Sequence, residues 1–113
     1  MWIASKFGFF SIVAKKDGFH VRARVRQDLE QLMAAVNLAE PIQVWPEADY
    51  RYRVILIAQE IPLVFQALAD SIDYNNFKDM IAETPAQGDK YGVYGQIWNI
   101  MYHFQEWNEQ EEV

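Results

Sequence analysis

The 113-residue chain contains no cysteine, and its only histidines are His20 and His103. The missing thiols exclude disulfide bonds, thiol catalysis and cysteine-ligated metal. His103 and Glu106 share an i, i+3 spacing on a predicted helix, but two ligands alone do not hold a metal ion. We therefore expect neither a metal nor another cofactor.

Long apolar runs are also missing from the sequence. No window approaches the roughly 18 uncharged apolar residues of a membrane-spanning helix, so we expect no membrane association. Residues 1–6 place apolar side chains before the first positive charge, the reverse of a signal peptide, which favours a cytoplasmic location. Because no phosphate-binding loop, dinucleotide fingerprint or nucleophile elbow is recognisable, we expect the protein not to be an enzyme.

Apolar content, by contrast, is high: 51% of the residues are hydrophobic and 15% are aromatic. This composition supports a real core and predicts one folded domain over residues 1–113. Sixteen acidic against ten basic residues give a net charge of −6. This charge argues against non-specific binding to nucleic acid, because such binding depends on neutralising phosphates.

Hydrophobic periodicity predicts an α+β fold: an antiparallel four-stranded sheet in ββαββα order with an added C-terminal helical segment. The elements group into two ββα units at about residues 2–36 and 42–72, followed by helices at about 76–83 and 91–107. The two units resemble each other, either as an internal repeat or as any two amphipathic strand–helix units would.

The first two strands are predicted to form a hairpin. Trp2–Val13 is apolar on both faces, which is typical of one long covered strand. Asp17-Gly18 favours a two-residue type I′ turn, and this turn places Ile12 opposite Ala23. The return strand then alternates apolar and basic side chains, so that one of its faces is positively charged.

All five arginines lie within residues 22–26 and 51–53. If the two strands are neighbours, their guanidinium groups converge on one face, which we call the arginine face, and such groups bind phosphate or carboxylate bidentately. Phe7 and Phe9 would share that face and are suited to stacking a base. The candidate ligand-binding residues are Arg22, Arg24, Arg51, Arg53, Asp49, Asp73 and Lys78.

The opposing interpretation is that the arginine face is structural, with its charges paired internally. We expect Asp49 and Asp73 to occupy the arginines in this way. Asp73–Lys78 is itself either a ligand-binding loop or a helix start, and the helix start is favoured because Asn75 or Asn76 is a good N-cap.

The third long helix is predicted at Tyr91–Trp107. Its apolar stripe, which we expect to be buried over the open face of the sheet or at the sheet edge, consists of Tyr94, Ile97, Trp98, Met101 and Phe104. The acidic tail Glu106–Val113 is expected to fray.

Four segments resemble a widespread family of small uncharacterised bacterial proteins. They are Trp2–Ser11 (Trp-Ile…Lys-x-Gly-Phe-Phe-Ser type), Val21–Arg24 (Val-Arg-Ala-Arg), Asp49–Arg53 (Asp-Tyr…Arg) and Asp73–Lys78 (Asp-Tyr-x-Asn-Phe-Lys). The resemblance implies a recurrent pattern that includes Lys6, Arg22, Arg24, Asp49, Arg53, Asp73 and Lys78. It brings no known activity.

The sequence thus predicts a non-catalytic binding module of unknown ligand, with a phosphate-bearing anion on the arginine face as the first candidate. The alternative is a small acidic protein-interaction module or inhibitor that engages a basic partner, for example a nucleic-acid-binding protein. The ligand is accordingly a small anion in the first case and a protein partner in the second.

Overall fold

The structure, a computed structural model, describes residues 1–111. The chain divides into two compact units, Met1–Asp73 and Tyr74–Val113. The boundary falls close to the predicted end of the second ββα unit. No helix within the described residues is long and apolar enough to cross a membrane.

The first unit contains a five-stranded sheet and two helices. In chain order its elements are β1 (Trp2–Ala4), β2 (Phe9–Lys15), β3 (Gly18–Ala23), α1 (Arg26–Val36), β4 (Gln43–Val44), β5 (Tyr52–Leu56) and α2 (Ile61–Asp70). The strand order is β1-β2-β3-β5-β4, and all neighbours are antiparallel. The α+β class and the antiparallel sheet are confirmed, whereas the predicted four strands and ββαββα order are wrong in detail.

The additional strand arises because the chain reverses between Ser5 and Gly8. The Ser5 N–H donates to the Gly8 carbonyl at 2.9 Å, and the Gly8 N–H donates back to the Ser5 carbonyl at 3.2 Å. Gly8 has a φ of 153°, which side chains rarely allow, and a Cβ there would collide with Asp28. The single strand predicted at Trp2–Val13 is therefore two strands of a short hairpin.

The β2–β3 hairpin keeps its predicted faces but not its predicted register. Ile12 lies opposite Val21 rather than Ala23, so the turn is centred one residue earlier and Gly18 begins β3. A shift of two residues preserves the alternation, and every side chain keeps its face. Gly18 is needed within the strand because a Cβ there would lie 2.7 Å from the Leu56 carbonyl oxygen of β5.

One face of the sheet packs against α1 and α2 and forms the hydrophobic core. Helix α1 contacts β3, β5 and α2. The strands contribute Phe10, Ile12, Val21, Ala23, Val54 and Leu56, and the helices contribute Leu29, Leu32, Met33, Val64 and Leu68. Because strand residues alternate, the polar side chains between these positions are directed to the opposite face.

The second unit is helical. Its elements are α3 (Phe77–Glu83), a single 3-10 turn (Gly88–Lys90) and α4 (Tyr91–Glu111). Asn76 is the N-cap of α3, since its side chain accepts the Asp79 N–H at 3.0 Å. Helix α3 contacts α4, and the rings of Phe77 and Tyr94 lie 5.2 Å apart.

Most of α4 is exposed. Of the stripe predicted to be buried, only Tyr94 is, at 5% exposure, whereas Trp98 and Phe104 are 55% and 54% exposed. Every residue from Gln96 to Gln110 is exposed. The expected burial of this stripe is therefore wrong, and the last two residues of the acidic tail lie outside the described part of the chain.

Candidate functional site

The sheet face opposite the core carries two arginines side by side. Arg22 on β3 is the direct cross-strand partner of Arg53 on β5. Arg53 is only 2% exposed, and the neighbouring His20 is 1% exposed. Like charges directly opposite each other destabilise a sheet, so the surroundings must compensate for this pair.

Two aromatic rings from the β4–β5 region provide part of that compensation. The Arg53 guanidinium carbon lies 3.8 Å from the centre of the Trp45 ring. The Tyr50 ring contacts two guanidinium groups, with the Arg24 carbon at 4.2 Å and the Arg22 carbon at 4.7 Å. A desolvated cation–π contact is worth about 2 kcal/mol. We call Arg22, Arg24, Arg53, Trp45 and Tyr50 the arginine–aromatic cluster.

The guanidinium groups of the cluster hydrogen-bond to neutral acceptors. These bonds run from Arg22 to the Ser11 hydroxyl at 2.6 Å, from Arg24 to the Asp49 carbonyl at 2.9 Å and from Arg53 to the Tyr50 carbonyl at 3.2 Å. Within residues 1–110, no carboxylate forms a salt bridge with any of the three. The Nε–H groups of Arg22 and Arg53 are buried and have no acceptor among the same residues.

His20 connects the buried arginine to an exposed carboxylate. The Arg53 guanidinium lies 3.2 Å from His20 Nδ1, and His20 Nε2 lies 2.7 Å from the Asp17 carboxylate. Because a guanidinium only donates, Nδ1 must accept, and Nε2 carries the proton that is donated to Asp17. This hydrogen bond from His20 lowers the pKa of Asp17 below its ordinary value.

The electrostatic environment of Arg53 is unfavourable to its charge. Burial lowers the pKa of Arg53, the positive charge of Arg22 lowers it further, and the negative charge of Asp49 acts in the opposite direction. An arginine nevertheless stays protonated in a protein, so the cost appears as repulsion between two cations. An anion placed beside the cluster would reduce that repulsion.

The two acids expected to occupy the arginines do not do so through their carboxylates. Asp49 lies at the cluster, but its carboxylate accepts the Tyr50 N–H at 2.9 Å, and only its backbone carbonyl meets Arg24. Asp73 pairs with Lys6, whose ammonium lies 2.9 Å from the carboxylate and lowers the pKa of Asp73. The expected pairing of these acids with the arginines is therefore wrong.

Two other candidate residues lie outside the cluster. Arg51 is exposed, and its guanidinium makes no hydrogen bond or ring contact in the part of the chain that is described. Lys78 belongs to the second unit, where its ammonium lies 5.7 Å from the Tyr91 ring centre and 5.6 Å from that of Trp98. The structure thus brings together Arg22, Arg24, Arg53 and Asp49 only.

Four members of the site were not predicted: Ser11, His20, Trp45 and Tyr50. Phe7 and Phe9 were expected to supply the rings, but the rings that contact the arginines are Trp45 and Tyr50. A signal was present in the sequence, since both rings lie within the eight residues before Arg53. Their role depends on the β4–β5 connection, which the strand pattern does not specify.

Comparison with other proteins adds no further assignment. No protein-family model, curated protein or solved structure matches the chain. The resemblance to a bacterial family therefore stays a prediction. Among residues 1–110, no group of three or more histidine, cysteine, aspartate or glutamate side chains is arranged to hold a metal ion. Function must therefore be inferred from the cluster itself.

Proposed function

We propose that the protein is a non-catalytic binding module that holds a phosphate-bearing anion at the arginine–aromatic cluster. One observation supports this most strongly: three guanidinium groups contact the rings of Tyr50 and Trp45 and form no salt bridge with any described carboxylate. Buried or crowded cations are ordinarily paired, so an unpaired group of three is a candidate for an external anion.

The three arginines have different roles in this proposal. Arg24 is exposed and Arg22 is half-buried, so both are positioned to contact a ligand. Their guanidinium groups lie over Tyr50, and a guanidinium stacked on a ring keeps N–H donors at its edge for bidentate bonds to phosphate. Arg53 lies beneath Trp45, so it adds positive charge to the site and packs against that ring but does not contact the ligand.

Binding should stabilise the fold as well as occupy the site. An anion beside Arg22 offsets the repulsion between Arg22 and Arg53, and that gain exists only in the folded state. A ligand that binds only the folded state stabilises it by about 1.4 kcal/mol at ten times its dissociation constant. Anion binding is therefore measurable as a rise in the unfolding temperature.

The test is thermal unfolding with tripolyphosphate at low ionic strength. We expect the wild-type protein to shift upward by several degrees, and Arg24→Ala to weaken the apparent affinity at least about tenfold while unfolding normally without ligand. Arg26→Ala is the matched control, because it removes the same charge from an exposed arginine that pairs with Glu30 at 3.2 Å.

Two results would refute the proposal. One is the absence of a shift for wild-type protein at millimolar tripolyphosphate. The other is an equal loss for Arg24→Ala and Arg26→Ala, which would indicate a general charge effect. Arg53→Ala is unsuitable as the principal test, because truncation of a 2% exposed side chain is expected to destabilise the fold itself.

A second candidate is protein binding through the acidic end of α4. The exposed carboxylates of Glu106 and Glu109 support it, since they lie on a helix that is exposed from Gln96 to Gln110. In this proposal a basic partner is attracted to the surface by charge, and complex formation weakens as salt is added.

A further inference from the structure

One side of α4 carries a regular apolar stripe that is open to solvent. The residues are Val93, Ile97, Ile100, Phe104 and Trp107, and their exposures run from 43% to 67%. They recur at alternating spacings of four and three residues, which is the heptad pattern of a helix that packs lengthwise against another helix. We call this set the α4 stripe.

The α4 stripe is separate from the contact that α4 makes within its own unit. Tyr94 is buried and meets Phe77 of α3, and Trp98 lies beside Lys78 of the same helix. At 100° per residue, Tyr94 and Trp98 lie about a third of a turn from the centre of the stripe. Helix α3 therefore occupies a different side of α4 and leaves the stripe exposed.

The apolar surface of the stripe reaches the lower end of the size range of stable interfaces. A large apolar or aromatic side chain buries about 150–250 Å² when fully covered, so each half-exposed member presents on the order of 100 Å². With Met101, which flanks the stripe and is 57% exposed, the surface amounts to about 600 Å² per chain. Stable interfaces bury about 600 to 1,000 Å² per partner.

The helix dipole favours one direction of a partner helix. At 100° per residue, Glu106 and Glu109 lie on the side of α4 away from the stripe, so their carboxylates do not meet the partner directly. In a parallel pair of identical helices the two negative C-terminal ends would lie side by side. In an antiparallel pair each negative end lies beside the N-terminal end of the partner helix, whose dipole is positive.

We propose that the α4 stripe binds a second copy of this chain in an antiparallel helix pair. In that arrangement Ile97 packs against Ile100 of the second copy, and Val93 packs against Phe104 of the second copy. The four-and-three spacing of these four residues is satisfied in both helices at once, and a small side chain meets a large one at each end. Trp107 lies beyond the paired residues, beside the N-terminal end of the partner helix. The proposal concerns a different surface from the arginine–aromatic cluster and does not depend on it.

The first test is the mass of the protein in solution, measured by sedimentation velocity between about 1 and 100 μM. We expect a concentration-dependent dimer for the wild-type chain. Ile100→Asp places charge in the centre of the pair, and we expect it to raise the dimer dissociation constant at least about a hundredfold. Ile100 is 67% exposed, so the substitution should leave the unfolding temperature of the monomer nearly unchanged.

Asn99→Asp is the matched control, since it adds the same charge to the adjacent exposed residue outside the stripe. It should dimerise like the wild-type chain. A wild-type monomer at 100 μM would overturn the proposal, and so would equal effects of the two variants. A monomer that instead binds a lysine-rich peptide in low salt would assign this helix to a basic partner, and one that binds neutral lipid vesicles would assign it to a membrane surface.

The second test addresses direction and uses the absence of native cysteine. A Val93→Cys chain mixed with a Phe104→Cys chain under mild oxidation should form the mixed disulfide in preference to either symmetric one. Preferential symmetric cross-linking of either variant alone would indicate a parallel pair and contradict the antiparallel arrangement.

Discussion

Gly8 shows how a single residue changes the fold expected at the N-terminus. The apolar pattern of Trp2–Val13 is compatible with one long strand, and only the backbone conformation shows otherwise. Gly8 combines a φ of 153° with the Asp28 side chain packed where a Cβ would lie. Asp28 is 1% exposed and its carboxylate accepts the Phe9 N–H at 3.2 Å, so the close approach is held by a buried hydrogen bond.

Gly8→Ala is therefore expected to destabilise the protein by at least about 2 kcal/mol, because both the positive φ and the collision with Asp28 must be relieved. Urea unfolding followed by circular dichroism would measure this. Gly92→Ala is the control: a Cβ at this helical, exposed glycine meets nothing within 4 Å. It should be neutral or stabilising by up to about 1 kcal/mol. Similar losses in the two variants would contradict the role given to Gly8.

The residues around Arg53 illustrate how a buried charge is accommodated without a direct ion pair. Its guanidinium meets the Trp45 ring, the Tyr50 carbonyl and His20, and His20 in turn meets the exposed Asp17. Each contact satisfies part of the charge, yet the Nε–H still has no acceptor among residues 1–110. Such an environment stabilises the position of the arginine while leaving its charge available to the cluster.

At the scale of elements, the ends of the helices are determined by local chemistry. Helix α1 ends at Asn37, which adopts the left-handed conformation with a φ of 60° and donates its N–H to the last turn. Asparagine is one of the few residues other than glycine that tolerate this conformation. Helix α3 begins at Asn76, whose side chain caps the Asp79 N–H. Both signals are visible in the sequence, and the α3 start was predicted from it.

The two consecutive asparagines before α3 allow a matched test of that cap. Asn76→Ala should cost about 1 kcal/mol, because it leaves the Asp79 N–H without its side-chain acceptor. Asn75→Ala removes the same side chain from an exposed neighbour that does not cap the helix, and should change stability by less than about 0.5 kcal/mol. The free energy of unfolding by urea distinguishes the two variants. A larger loss of stability for Asn75→Ala would indicate that Asn75, and not Asn76, caps the helix.

The faces of the β2–β3 hairpin were predictable from the sequence, but its register was not. Alternation of apolar and polar side chains assigns faces but repeats every two residues, so it cannot distinguish registers that differ by two. The turn chemistry of Asp17-Gly18 favoured one register. The structure has the other register, in which Gly18 lies close to Leu56 on β5. This contact joins residues that are far apart in the sequence, so the turn pattern does not predict it.

At the scale of the whole molecule, two carboxylates make the stability of the fold depend on pH in the acidic range. The pKa of Asp17 is lowered by the hydrogen bond from His20, and the pKa of Asp73 is lowered by the hydrogen bond from Lys6. A carboxyl group whose pKa is lower in the folded state than in the unfolded state adds stability above its unfolded value of 3.8. That stability is lost as the pH falls through the lower, folded value.

The double variant Asp17→Asn with Asp73→Asn should therefore be less stable than wild type at pH 7 and should lose less stability on acidification. The difference in urea midpoint should shrink as the pH falls below about 4 and through the lowered pKa values of the two folded carboxyl groups. Glu40→Gln with Glu47→Gln removes the same formal charge at exposed positions and serves as the control. A difference that stays constant from pH 7 to pH 2 would exclude the proposed linkage.

The features that the sequence determined by itself depend on neighbouring residues or on the alternation of side chains along a strand. Strand faces, the helix at Phe77–Glu83, the antiparallel sheet and the clustering of arginines all follow from the identity and spacing of nearby residues. These features depend on backbone periodicity and capping, which act over a few residues.

The tertiary structure alone decided which partners those side chains meet. It reversed the chain at Gly8, set the hairpin register and placed Trp45 and Tyr50 on the arginines while Asp73 paired with Lys6. It also left Ile97, Trp98, Met101 and Phe104 of the predicted apolar stripe exposed, although the pattern predicts burial. An apolar stripe shows that a helix favours a partner, but which surface covers it depends on contacts between distant parts of one chain or between two chains.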